Sequence, residues 1–409
     1  MRLSVKQRHV GSLITGLVLG CVALLRAAEP APVEGPIADL AAKIERGEAK
    51  LEYQPGPLGY LPSLLKNLGI NQDSQLLVFS KTSFQSAKIS PKAPRAIFFN
   101  DNVAIGSVQG GEVLEVISLT PKNGIVYYTL NAKPTDRPRF EERGGACNSC
   151  HVPQNHGVAG WMATSVFPDP DGLPLFVGKF FPPIDHRTPM EERWGGWYVT
   201  GTHGSQRHRG NAIVPDSRRP ADFETEGTQN LTDLSGKVDL SNYLARSSDI
   251  VALMTLEHQT AMTNYLVRLS PAPRNGSRDV AGETLDALTD EVAAYMLFSP
   301  EMPIREPIQG NTTFTKTFAE RGPRDSKGRS LRDFDLQKRM FKYPLSYMIY
   351  SDAFENLPQP ARDKIYRRIY DVLTAKTPSP KFAHLSAADR QAILEIVRET
   401  KSNLPKYWK

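Results

Sequence analysis

The apolar positions along the chain change their period twice. Between Ile37 and Leu51 they fall at 37, 40, 41 and 44, the spacing of one helical face. A second short helix is expected over Ser63 to Leu68, stopped by Gly69. From Gln75 to Leu130 the pattern turns into short β-branched or aromatic runs, LLVFS, RAIFF, VAIGSV, VLEVISL and IVYYTL. Pro-Lys-Ala-Pro, Asn-Asp-Asn, Gly-Gly and Pro-Lys-Asn-Gly separate them, and all are turn sequences, so the spacing predicts an antiparallel meander. Phe140 to Cys150 reads as a short helix, weakened by Gly144 and Gly145, and a loop-rich stretch follows to about Ser235. The helical period then returns. Residues 249–269 carry apolar side chains at 250, 251, 253, 254, 256, 262, 265 and 266, and Leu285 to Phe298 is a second helix ended by Ser299-Pro300. Further helices are expected over Leu331–Phe341, Arg362–Thr374 and Ala387–Ser402. The fold class implied is α+β, with a β-rich region at 37–135, a loop-rich segment at 136–235 and a helical region at 236–409.

Residues 1–28 break from this scheme. Arg2, Lys6 and Arg8 precede an apolar run from Leu13 to Leu25, and Ala27 and Ala28 offer a cleavage site, the layout of an export signal. The run is short and interrupted by glycine for a membrane span, so an uncleaved anchor is the alternative and no span is expected in the mature chain. Residues 29–36, EPAPVEGP, read as a flexible spacer. The signal carries four of the 50 basic residues and no acidic one, leaving 46 against 44, so the formal charge drops from +6 to +2. Nothing in that balance calls for nucleic acid. Of the three cysteines, Cys21 would leave with the signal, and only Cys147 and Cys150 remain.

Those two stand in Cys147-Asn148-Ser149-Cys150-His151. Two thiols three residues apart with a histidine directly after the second is the arrangement that attaches haem c. The sulfurs form thioethers with the haem vinyl groups, and His151 becomes the proximal iron ligand. A thioredoxin-like pair is the first alternative, but it belongs at the start of a helix in a βαβ unit, which the pattern lacks. A structural zinc site wants four ligands, and no second CxxC or HxxxH is present. A disulfide across so short a loop would constrain little.

The motif and the export signal resemble those of c-type cytochromes. More loosely, the chain resembles large, single-haem cytochrome c domain-containing proteins of Gram-negative bacteria. The resemblance implies one covalent haem c on Cys147 and Cys150, His151 as proximal ligand, a periplasmic address and redox partner proteins there. It departs from small cytochromes in size and in its β-rich region.

The sixth iron position decides between two expected functions. A protein ligand there makes an electron carrier cycling between Fe(II) and Fe(III); an open position makes a haem c-dependent oxidoreductase, peroxidase-like or oxidising a small molecule. His258 and Met262 share a face of the 249–269 helix and are candidate distal ligands, with ordinary core roles as the alternative. Met302, in Ser-Pro-Glu-Met-Pro, is a third. Electron transfer is the expected function. Arg187, Arg193, Arg207 and Arg209 are candidates to hold haem propionates, and Trp194, Trp197 and Tyr198 to line the haem edge. His186 and His203 are candidate acid–base groups, and His156, His203 and His208 a weakly supported second metal set; the plainer reading is that they anchor turns.

Overall fold

Alternation in VLEVISLT and GIVYYTLN puts Leu114, Val116, Val126, Tyr128 and Leu130 on one side of a ribbon and Ile117, Leu119, Ile125 and Tyr127 on the other. The computed structural model, which describes residues 34–152, 158–175, 182–220, 225–270, 284–377 and 379–409, builds a sheet from that pattern. After helices α1 (Pro36–Glu45) and α2 (Leu61–Asn67) come strands β1 (Leu76–Val78), β2 (Arg95–Phe99), β3 (Val103–Ser107), β4 (Val113–Thr120), β5 (Gly124–Asn131) and β6 (Phe140–Glu142). They pair antiparallel in sequence order, as an unbroken meander. Both faces are buried: α1 and α2 cover one together with Tyr198, Leu234, Val238 and Leu240, and the chain beyond residue 157 covers the other. The predicted signal at 1–28 lies outside the described residues, as do positions 29–33 of the spacer and His156.

The expected helix over Phe140 to Cys150 divides in two. Phe140 to Glu142 extends the sheet beside β5, with Tyr128 opposite Glu142, and α3 (Gly145–His151) begins only after Gly144. The sheet therefore reaches past residue 135. A two-stranded ribbon follows, β7 (Phe167–Pro168) against β8 (Pro174–Leu175).

Helices α4 (Ile250–Leu269), α5 (Leu285–Met296), α6 (Phe314–Glu320), α7 (Asp352–Glu355), α8 (Gln359–Thr374) and α9 (Ala387–Thr400) build the C-terminal half. The start of α4 is set by Asp249, whose Oδ1 accepts the Val251 and Ala252 N–H groups at 2.8 and 3.2 Å. Its Oδ2 accepts Asn311 N–H, Thr312 N–H and the Thr312 hydroxyl, tying the distant 311–312 loop to the same cap. Ser386 and Asp389 form a capping box that starts α9. Helix α1 stops at Glu45 rather than Leu51, because Gly47 takes a left-handed conformation (φ 74°) and the chain turns back onto Lys43 and Ile44.

The helix expected over Leu331–Phe341 does not form. Leu331, Leu336, Met340 and Phe341 are buried, but from a tight reversal in which Phe334 bridges Phe341. The Asp335 carboxylate accepts the Gln337 and Lys338 N–H groups, an Asx turn that competes with helical bonding. All described residues belong to one compact unit, so the β-rich, loop-rich and helical regions do not separate. Single bridges knit the 182–220 segment into it: Trp197 to Val78, Thr200 to Asp249 and Thr202 to Gln309. No helix among the described residues is long and apolar enough to cross a membrane.

Candidate functional site

Helix α3 carries the cysteine–histidine motif on a single turn and a half. Cys150 is exposed, Cys147 is half-buried, and both thiols are free. Cys147 packs on the core between the sheet and α4, and burial pushes its thiol up, with Glu115 adding to the effect.

His151 is held from behind. Its Nδ1 lies 3.0 Å from the Gly160 carbonyl oxygen. A carbonyl only accepts, so Nδ1 carries the proton and Nε2 is the lone-pair nitrogen, the tautomer that a metal-binding imidazole needs. Burial pushes the His151 pKa down, which keeps the ring neutral. Tyr127, on β5, fixes the acceptor: its hydroxyl donates to Gly160 O at 2.8 Å and accepts Gly160 N–H at 3.0 Å. The Tyr127 ring also packs against the imidazole, with centroids 5.1 Å apart. Asn264 of α4 then clasps the next residue, accepting Trp161 N–H at 2.8 Å and donating to Trp161 O at 2.7 Å. Sheet, α3 and α4 thus meet at residues 160–161.

A charged group faces the motif from the sheet. Glu115 accepts from Ser83 Oγ (2.6 Å), Gln85 Nε2 (2.8 Å) and Arg95 Nη1 (2.9 Å), and both Arg95 and Glu115 act electrostatically on His151. Arg95 Nε is buried and has no hydrogen-bond partner among the described residues. Tyr127, Gly160, Arg95 and Glu115 were not singled out from the sequence. The one available signal was Glu115, a charge inside an otherwise apolar strand.

The residues fit covalent haem attachment on three counts. The thiols share a helix, His151 has the correct tautomer, and a backbone carbonyl locks its orientation. Among the described residues no group of three or more His, Cys, Asp or Glu side chains is placed to hold a metal ion; of the expected set His156, His203 and His208, the first lies outside the described residues. The His203 and His208 rings pack, with centroids 4.7 Å apart, and each Nδ1 is buried with no hydrogen-bond partner among the described residues; His203 Nε2 accepts the Asn230 N–H.

The distal candidates sit deep in the molecule. His258 is fully buried with both nitrogens engaged, Nδ1 2.9 Å from His186 Nδ1 and Nε2 2.8 Å from Ser346 Oγ. Its neighbour Glu257 does not serve it, but pairs with Arg193 and accepts the Trp194 Nε1–H at 3.0 Å. Burial pushes the Glu257 carboxyl up to about 7, against the pull of Arg193 and the Trp194 N–H. Met262 is fully buried in the core. Met302 is half-buried beside His186, its N–H donating to His186 O at 3.0 Å.

The candidate propionate and edge residues are largely committed elsewhere. Arg187 makes a forked ion pair with Asp185, donates to the Tyr265 hydroxyl at 3.1 Å and stacks over Tyr295. Asp185 therefore pairs with Arg187 and not with its neighbour His186. Arg207 bonds Thr225, and Arg209 lies over the Phe167 ring. Trp194 is enclosed, Trp197 Nε1 donates to Thr164 O at 2.7 Å, and the Tyr198 hydroxyl donates to Pro91 O. Comparison of the chain with family models, curated proteins and solved structures finds no match.

Proposed function

We propose that the chain is an exported, periplasmic haem c protein that transfers electrons. One haem would be joined to Cys147 and Cys150, with His151 as the proximal ligand. The observation that carries this reading is the Gly160 carbonyl on His151 Nδ1, clamped in turn by Tyr127. A CxxC pair used only for redox exchange has no need of a histidine fixed in one tautomer; a zinc ion would use the same Nε2 lone pair but wants four ligands, and the sequence has no second CxxC or HxxxH to complete them. Bound haem supplies a one-electron iron couple. The chain's own part is to orient His151, to keep that ring neutral by burial, and to set the local field through Arg95 and Glu115. Exposed Cys150 puts one attachment point at the surface, where a partner protein can approach.

Both ring nitrogens of His258 are taken, which favours a second reading: a haem c-dependent oxidoreductase whose sixth iron position is open. The test is the spectrum of the dithionite-reduced protein with and without carbon monoxide, after a pyridine haemochrome assay for covalent haem. A haemochrome spectrum lost in Cys147→Ser/Cys150→Ser supports attachment, and its absence in the wild type refutes it. Low-spin bands indifferent to the gas support electron transfer; a shifted spectrum supports the oxidoreductase.

A further inference from the structure

A small cavity borders His186 of the buried histidine pair and has no α3 residue in its lining. Its volume is about 20 Å³, room for one water-sized sphere. Four methionines line it, Met190, Met254, Met302 and Met340, drawn from four separate stretches of chain and from nine methionines in all. His186 and Glu301 border it too. His186 is 2% exposed, and its Nε2 has no hydrogen-bond partner; the Pro300 carbonyl lies near without meeting hydrogen-bond geometry.

We propose that this cavity is a binding site for a monovalent soft cation, Cu(I), held by methionine sulfurs and His186 Nε2. Thioether and imidazole donors select Cu(I) over the harder divalent ions. Zinc would want a closed set of thiolate, imidazole or carboxylate ligands, which the described residues do not assemble. Charge fits as well. Arg193 is paired with Glu257 and Arg187 with Asp185, whereas Glu301 makes no ion pair among the described residues and accepts the Met340 N–H at 2.7 Å. Burial pushes the Glu301 carboxyl up to about 7, so a bound cation would displace its proton and pair with the carboxylate.

Copper binding at His186 Nε2 requires the tautomer in which His186 Nδ1 donates to His258 Nδ1 and His258 Nε2–H donates to Ser346 Oγ; the reverse set of donors, with His186 Nε2–H turned to the Pro300 carbonyl, fits the same contacts and would be displaced by the metal. The whole chain of bonds stays neutral. Access is available at Met190 and Met302, which are only half-buried. Simple packing explains a methionine in a core gap; it does not explain four around one hole bordered by an unsatisfied imidazole.

The experiment is an anaerobic titration of the full chain with Cu(I) in competition with bathocuproine disulfonate. One copper per chain is expected. Met302→Leu/Met340→Leu, which conserves volume, should lower affinity at least ~10-fold, since changes outside the ligand set alone typically cost that much. Copper-edge absorption on selenomethionine-substituted protein identifies the ligands without any core mutation. Selenium scattering about copper supports the site. No copper taken from the chelator, wild-type affinity in the double variant, or sulfur scattering without selenium, as the Cys147 and Cys150 thiols would give, each overturns it. The site does not depend on the haem reading, because the haemochrome assay is read separately.

Discussion

Tyr127 shows how one side chain links sheet and motif. Its hydroxyl both donates to and accepts from Gly160, and the same carbonyl receives His151. Tyr127→Phe removes the hydroxyl and leaves Gly160 N–H buried with no acceptor, a loss of about 1–3 kcal/mol. The unfolding free energy from urea denaturation should fall by that amount, and the reduction potential of the haem proposed at His151 should move, since the imidazole loses part of its anchor; an unchanged potential would mean that Tyr127 serves stability alone. Cys147, Cys150 and His151 were legible as a candidate haem-attachment motif because the spacing lies within five residues. Tyr127 and Gly160 were not: an aromatic in a strand and a glycine in a loop have many uses, and only the fold sets these two side by side.

At the scale of elements, α4 departs most from its pattern. Beyond the apolar positions that marked it as a helix, Thr255, Glu257, His258, Gln259, Thr260 and Thr263 are buried as well. Polar side chains can enter the core because partners await them. Gln259 reaches Asn100 O and the Tyr347 hydroxyl, and Glu257 and His258 meet Arg193, Trp194, His186 and Ser346. Those partners come from three other segments, so no local pattern announces them. The cap at Asp249 is equally non-local. An ordinary N-cap loss costs about 1 kcal/mol, and this carboxylate also holds three donors of the 311–312 loop. Asp249→Ala should therefore cost more than about 2 kcal/mol by chemical denaturation, the upper value for a cap alone. A smaller loss would show that the 311–312 loop finds other partners. Where Leu331–Phe341 fails as a helix, the cause is local after all: Asp335 captures the backbone before a helical turn can close.

For the whole molecule, the buried imidazoles make stability depend on pH. Burial, then the neighbouring His203 and Arg207, drive His208 from its ordinary 6.5 down to about 3. Trp194 packs on the same ring, and the Gly210 backbone acts weakly the other way. The unfolded chain thus binds a proton that the folded chain refuses. Stability from this group is complete above pH 6.5 and declines as pH falls toward 3, by at most about 1.4 kcal/mol per pH unit. Urea midpoints measured from pH 7 to pH 5 should fall, and His208→Gln should flatten that slope. An equal slope in the variant would place the proton uptake on other groups.

The sequence by itself determined the α+β class, the run of strands and the motif at residues 147–151, because period and short-range spacing are properties of neighbouring residues. Only the tertiary structure decided which carbonyl holds His151, that His258 is occupied on both nitrogens, and that four methionines surround one cavity. Those facts join residues as far apart as 186 and 340. A buried polar group is satisfied by whatever the fold brings within about 3 Å, and that distance is not written in the order of the chain.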